Sequence, residues 1–493
     1  MIKYILVLIL MAPLIGCGLY RGFRDTPPVC RSKAVPPQAG TDVRAIPERL
    51  PNVPTTQSAQ AITLQECIDK ALAHNGGIRI TDRRILIAQD RIREAWAIDL
   101  PKLTAQGRFD IQEKARAPGP TATAQKIAAI TGTTPRIPMI DRDVSSVSTS
   151  LLVPIYNFGL GYHQREAARI GVGVSDLMSE RARQDLILNV KQAYFRVLEA
   201  RKIRDVVMDS IQTVTRQLEI ARDFLSQGLV AKNDVLVVQV QLAQRKQQLI
   251  EAENNIQLAM STLDRLMDES VTREWKLDDI LEVPRWRGNF ETVFLLAVRN
   301  RPDLEALRKQ IKITEEQYRS TRAGLAPQIN GYLNYNYSAV KNVEDKDAAV
   351  GGFFVDLPIF DGGLTYAQLA RLSKQINEAI DVQSETEKDI ILNVKQAYLV
   401  LNAAAEQIPV AKISIEQATE NLRITRDQYA QGLLTSQDVL LQENALSQTR
   451  SNYYQALYAY HQSFAVLVNA IGGQPPEIPN SPLKKVKNKE RNK

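Results

Sequence analysis

Between Leu186 and Leu225, apolar side chains recur at intervals that strictly alternate four and three. Leu186, Val190, Ala193, Val197, Ala200, Val207, Ile211, Val214, Leu218, Ala221 and Leu225 share this seam, and Arg204 is its one charged member. A heptad seam carried this far without Gly or Pro specifies one long coiled-coil helix rather than a short globular one. Adding 204 to each number reproduces the seam from Ile390 to Tyr429, through Val394, Ala397, Leu401, Ala404, Ile408, Ala411, Ile415, Ala418, Leu422 and Thr425. Pro409 falls inside this copy, where it removes one backbone donor and predicts a kink, since the seam continues in register on both sides. The letters repeat too: Leu188 to Tyr194 reads LNVKQAY and returns at Leu392 to Tyr398. Pro154, Gly159, Gly228 and Asp234 match Pro358, Gly363, Gly432 and Asp438 at the same offset. A unit this long is no solenoid or propeller repeat, so the chain reads as a duplicated half-protein.

The chain has 493 residues and a formal charge of +7. Lys484, Lys485, Lys487, Lys489, Arg491 and Lys493 against Glu490 place +5 of that charge in the last ten residues. With Lys3 set aside the body is near neutral, so a nucleic-acid-binding role loses its main support, and 474–493 reads as a basic, solvated tail. At the other end, one Lys, an apolar run from Tyr4 to Leu14 and then Leu14-Ile15-Gly16-Cys17 read as an export signal too short to span a bilayer. That tetrapeptide resembles the bacterial lipobox, which implies cleavage after residue 16 and lipid on Cys17. Gly18 stands where an Asp would favour inner-membrane retention, so the outer membrane is the expected address. Cys30 and Cys67 are the remaining thiols, and whether they pair is left open by spacing alone.

Residues 17–61 hold seven Pro and little periodicity, which suits an extended strap. Thr63 with Glu66 forms the capping box of a helix that His74-Asn75-Gly76-Gly77 interrupts; helix resumes from about Ile78 to Ile98. The period then falls to two. Leu103, Ala105, Gly107, Phe109 and Ile111 alternate with Thr104, Gln106, Arg108 and Asp110, and a second alternating run covers about 145–154. The second repeat does the same at about 328–338 and 350–358, so four strands in two hairpins are expected. The first strand loop is longer, because Pro101 to Pro154 is 53 positions and Pro327 to Pro358 is 31. Each strand hairpin leads through a Pro and Gly turn into the long helix, a turn at Gly228 or Gly432, and a returning helix. The repeats are thus 62–269 and 290–473, joined by a linker at 270–289.

The fold class is therefore mainly α with a membrane β part. Half-polar strands in an exported chain match a membrane β-barrel, with one face to lipid and one to water. Four strands cannot close a barrel, and an open edge in hydrocarbon leaves backbone groups unpaired. Several copies must share one barrel, and three copies give twelve strands.

Asn300-Arg301-Pro302-Asp303, the duplicated Asn-Val-Lys-Gln-Ala-Tyr and the Gly-Leu-x-x-x-x-Asp-Val-Leu turns at Gly228 and Gly432 together resemble the TolC family of outer-membrane efflux channels. The resemblance covers residues 62–473. It implies a homotrimer with a twelve-stranded outer-membrane β-barrel continued by a periplasmic α-barrel of coiled-coil hairpins. It also implies partners: a periplasmic adaptor and an inner-membrane pump, proton-driven or ABC type. By the same resemblance Gly228, Leu229 and Val230, with Gly432, Leu433 and Leu434, line the grooves that receive the adaptor. Asp438 matches a ring of Asp at the periplasmic gate, and Asp234 and Tyr429 match a link that holds it shut. Leu441 and Leu434 depart from the acidic and basic residues of some members, which thins the ring. Read without the resemblance, Gly228 and Gly432 end helices and Asp234 and Asp438 cap them.

His74, His163 and His461 show no metal spacing, and no Walker loop, CxxC pair or nucleophile elbow occurs. No enzyme and no cofactor beyond the N-terminal lipid is expected. The expected function is a passive outer-membrane exit duct of a tripartite efflux system for small toxic compounds or metal ions. The alternatives are the exit duct of a type I protein-secretion system and, in another class, a structural coiled coil bridging the envelope.

Overall fold

The computed structural model describes residues 60–111, 143–270, 275–280, 289–339 and 347–473, all within the compact unit Gln57–Lys493. The signal 1–16, Cys17, the strap up to 59, Cys30, most of the first strand loop and the tail 474–493 lie outside the described residues.

In chain order the elements are β1 (Gln60–Ile62), α1 (Leu64–His74), α2 (Gly76–Trp96), β2 (Lys102–Ile111), β3 (Asp143–Tyr156), α3 (Leu160–Ser226) and α4 (Lys232–Met267). Then follow β4 (Trp275–Leu277), α5 (Phe290–Asn300), α6 (Pro302–Ala323), β5 (Gln328–Ala339), β6 (Asp347–Asp356), α7 (Leu364–Ala430) and α8 (Ser436–Ala470). The duplication is exact at the helix starts. α3 and α7 begin 204 positions apart, as do α4 and α8, whereas α1 and α2 precede α5 and α6 by 226. The difference of 22 is the surplus of the first strand loop, so the insertion leaves the helices on either side in register.

The two long helices, 67 residues each, extend roughly 100 Å at about 1.5 Å per residue. Their seams are the buried stripes. Leu186, Val190, Ala193, Val197, Val207, Val214, Leu218 and Ala221 are buried in α3, and Ile390, Val394, Ala397, Leu401, Ala404, Leu422, Thr425 and Tyr429 in α7. α7 runs through Pro409 without ending, and that residue is exposed. Two larger apolar clusters form the core away from the turns. One gathers Val190, Tyr194, Val197, Leu263, Met267 and Trp275, and the other Val394, Leu401, Leu304, Tyr460, Leu467 and Ile471.

Helix breaks follow local chemistry. Thr63 caps α1 with the expected reciprocal box, its backbone N–H donating to Glu66 at 2.9 Å. Asn75, extended at ψ 127°, separates α1 from α2 and accepts from the Gly77 N–H. In the second repeat Arg301, the residue before Pro302, is held extended at ψ 119° and separates α5 from α6 without a side-chain cap. One pairing was not anticipated. β1 and β4 form a parallel two-stranded sheet, Gln60 against Trp275 and Ile62 against Leu277, so the end of the expected strap is joined to the expected linker.

The four long strands form one sheet in the order β2-β3-β5-β6, antiparallel throughout. β3 against β5 unites the two hairpins. The register places Leu103, Leu151, Leu333 and Gly351 in one cross-strand row, and Thr104, Ser150, Asn334 and Val350 in the next. Because side chains alternate faces, one face carries Leu103, Phe109, Ile111, Phe353 and Val355, all exposed, and the other is rich in Ser, Thr, Asn and Gln. Among the described residues β2 and β6 each have one partner, which leaves the sheet two open edges there. No helix among the described residues is long and apolar enough to cross a membrane, which leaves the sheet's role untouched.

Candidate functional site at the helical turns

The turns that end α3 and α7 are built alike. Gly228 and Gly432 adopt φ of +72° and +73°, a left-handed conformation that glycine enters without the steric cost of a Cβ. The Gly228 N–H donates to the Leu225 carbonyl at 3.0 Å and the Leu229 N–H to the Phe224 carbonyl at 2.9 Å. Gly432 donates to Tyr429 at 2.9 Å and Leu433 to Gln428 at 3.0 Å. These paired bonds satisfy the last carbonyls of each helix and turn the chain sharply. A Cβ on either glycine would meet nothing within 4 Å, so backbone conformation rather than space selects the residue. The reversal leaves Leu229 and Leu433 65% and 69% exposed, while Val230 and Leu434 are half-buried.

The two Asp residues sit at the third position of the returning helices. Asp438 accepts the Thr435 N–H at 2.9 Å and the Thr435 hydroxyl at 2.7 Å, and the Thr435 oxygen accepts the Asp438 N–H in return. The Thr435 hydroxyl and N–H hold this carboxyl below the usual carboxylate range. Among the described residues Asp234 accepts the Ala231 N–H, at 3.2 Å, and Ala231 has no side-chain oxygen to accept the Asp234 N–H in return. Tyr429 is buried, with its hydroxyl 2.9 Å from the Ser436 hydroxyl and its ring 5.6 Å from that of Phe224. The hydrogen bonds described for Asp234 and Tyr429 thus run to Ala231 and Ser436, not to each other. Within one chain the structure places all three expected gate residues at the turns, and shows the two Asp as caps.

A charged layer behind the turns escaped the sequence reading. Glu443 accepts from Arg426 at 3.2 Å, and Arg245 donates to Asn444, which also accepts from Gln241 at 2.8 Å. Its signal was available: Arg245 falls three residues after Leu242 and Glu443 four after Val439, both in seam register.

The histidines take structural contacts. His163 bonds Glu316 at 2.6 Å, and His461 is buried, stacked on Phe195 at 4.8 Å, with burial lowering its pKa. Among the described residues no group of three His, Cys, Asp or Glu could hold a metal ion. Cys67 is a free, buried thiol, pushed up to about 12 by desolvation.

Comparison with known proteins bears on these features together. The family profile described as "Outer membrane efflux protein" matches residues 67–268 and 295–473, or 381 of the 493. The chain is 23% identical over 339 residues to the alkaline protease secretion protein AprF of Pseudomonas aeruginosa, covering 66% of this chain and 70% of that one. It is 23% identical over 322 residues to the outer membrane protein TolC of Escherichia coli, covering 61% and 64%. Among solved structures, the outer membrane protein VceC of Vibrio cholerae superposes with a TM-score of 0.69 at 19% identity, over 84% of this chain and 97% of that one. The matched segments take in both long hairpins, both turns and all four strands of the larger sheet, and the chain belongs to the outer membrane efflux protein family.

Proposed function

We propose that this chain is one subunit of a trimeric exit duct in the outer membrane of a Gram-negative-type bacterium. The observation that carries the reading is the four-stranded sheet, which has an exposed apolar face and two open edges. In water that face is a liability. In a bilayer it meets lipid, and the edges are satisfied only when other copies continue the sheet. Strands of 10 to 14 residues suit a tilted membrane crossing, which needs roughly 9–11. Three copies close a twelve-stranded barrel, and the long hairpins continue it as a periplasmic α-barrel.

In this reading the turns at Gly228 and Gly432 form the periplasmic entrance. Exposed Leu229 and Leu433, flanked by Val230 and Leu434, receive the tips of an adaptor protein. Asp438 from three copies surrounds the axis, and Asp234 and Tyr429 brace the closed state across subunits. Energy comes from an inner-membrane pump, since no nucleotide-binding motif occurs in the chain. Leu14-Ile15-Gly16-Cys17 adds a lipid anchor on Cys17, and favours a tripartite efflux system for small toxic compounds or metal ions. Labelling with a palmitate analogue should mark wild type and not Cys17→Ser; equal labelling would refute the anchor alone.

A second reading is the exit duct of a type I protein-secretion system, favoured by the similarity to AprF. Deletion of the gene separates the two. The first reading expects sensitivity to toxic compounds or metals with secreted proteins unchanged, and the second expects the reverse.

A further inference from the structure

One layer of the helical hairpins is charged where the seam calls for apolar side chains. Arg245 of α4 and Glu443 of α8 are 8% and 5% exposed. Glu443 faces Arg426 of α7 at 3.2 Å, and is also within electrostatic reach of Arg245 and of Arg450, whose own partner is Asp209 of α3. Arg245 places its terminal nitrogens on neutral amides, Gln248 at 2.8 Å and Asn444, and its Nε is buried with no acceptor among the described residues. The layer joins the first hairpin, α3 with α4, to the second, α7 with α8. It lies eight residues from Thr435, or roughly 12 Å of helix from the turn.

Both charges are poorly compensated. Burial raises the Glu443 carboxyl despite three arginines and the Ser210 hydroxyl of α3, and lowers the Arg245 guanidinium despite Glu443. For each group the lost hydration outweighs what its neighbours return, a common outcome for buried ion pairs. An apolar layer of the same size, like the neighbouring Val214, Leu218 and Leu440, would resist separation because parting it exposes hydrocarbon to water. A charged layer behaves oppositely, since parting it rehydrates both ions.

We propose that the Arg245–Glu443–Arg426 layer is a built-in weak joint, at which the second hairpin separates from the first when the duct entrance opens. The joint rests on the duct reading and adds the place where the coil yields. Its consequence is that removing the charges tightens the entrance instead of releasing it. Arg426, 45% exposed at its side chain, reaches water without Glu443, so R245M/E443L leaves no new buried charge.

The test uses full-length protein in planar bilayers, with thermal unfolding measured in parallel. R245M/E443L is expected to melt higher than wild type while its open-state occupancy falls about tenfold, and R245K/E443D to behave as wild type. A double variant that conducts as much as wild type, or more, overturns the joint and makes the layer a latch or mere packing. Should that variant misfold, Gln241→Cys with Asn444→Cys supplies the second arm, because these side chains touch across the two hairpins. Bridging them with a bifunctional methanethiosulfonate should abolish opening, and reductant should restore it; unchanged opening when bridged overturns the joint. Wild type that never conducts sinks the duct reading and the joint together, whereas conducting wild type with indifferent variants sinks the joint alone.

Discussion

Gly228→Ala and Gly432→Ala each force a Cβ into a left-handed conformation, at a cost of about 1–2 kcal/mol. Thermal unfolding should therefore fall for either variant and fall further for both, while Asn, which tolerates that region, should cost less. Asp438 makes a pH prediction with a definite sign. Its carboxyl is held low in the folded state by Thr435, so its contribution is present above the ordinary Asp range and lost as pH falls through the lowered value. Thr435→Val should lower stability near neutral pH and flatten this acid dependence, whereas an unchanged acid profile would show that Asp438 is not held by Thr435. Spacing alone made the turn glycines and both Asp residues legible, because Gly-Leu-x-x-x-x-Asp-Val-Leu occurs twice. Glu443 and Arg245 carry a fainter signal, their seam spacing, which is easily passed over because a charge on a helix reads as solvated until packing shows it buried.

Among the elements, the long helices are the most legible, because a heptad seam is a strong periodic signal. Leu401, 1% exposed in the α7 seam, should cost about 2–5 kcal/mol on truncation to Ala, measured by thermal unfolding. Pro409, exposed in the same helix, carries the opposite expectation: Pro409→Ala returns a backbone donor to the ladder and should raise the melting temperature. A drop in stability would mean that the Pro-induced geometry is needed for packing. Short elements gave no such signal. β1 and β4 are three residues each, too brief for a period, and their pairing depends on chain segments more than two hundred residues apart. Pro302 accounts for the break at Arg301, whereas α2 ends at Trp96, two residues before the expected Ile98, because Ala97 to Asp99 continue as a 3-10 turn.

At the scale of the whole molecule, a single chain is, in the duct reading, an incomplete object. Its sheet ends in two open edges, and α7 exposes Leu392, Leu399, Val410 and Ile413 along its length. In the duct reading, neighbouring copies and lipid cover apolar surface of that extent, together with the sheet's exposed face. In the duct reading the strand count alone calls for other copies, whereas the contacts described for Asp234 and Asp438 lie within their own turns and give no sign of a gate. Single-channel recording of the purified, membrane-inserted protein tests the central claim most directly. The duct account predicts discrete conductance steps of one dominant size, with cation preference reduced in Asp438→Ala. Folded protein that inserts into the bilayer yet produces no steps at any voltage would contradict it, and would leave a structural coiled coil as the better description.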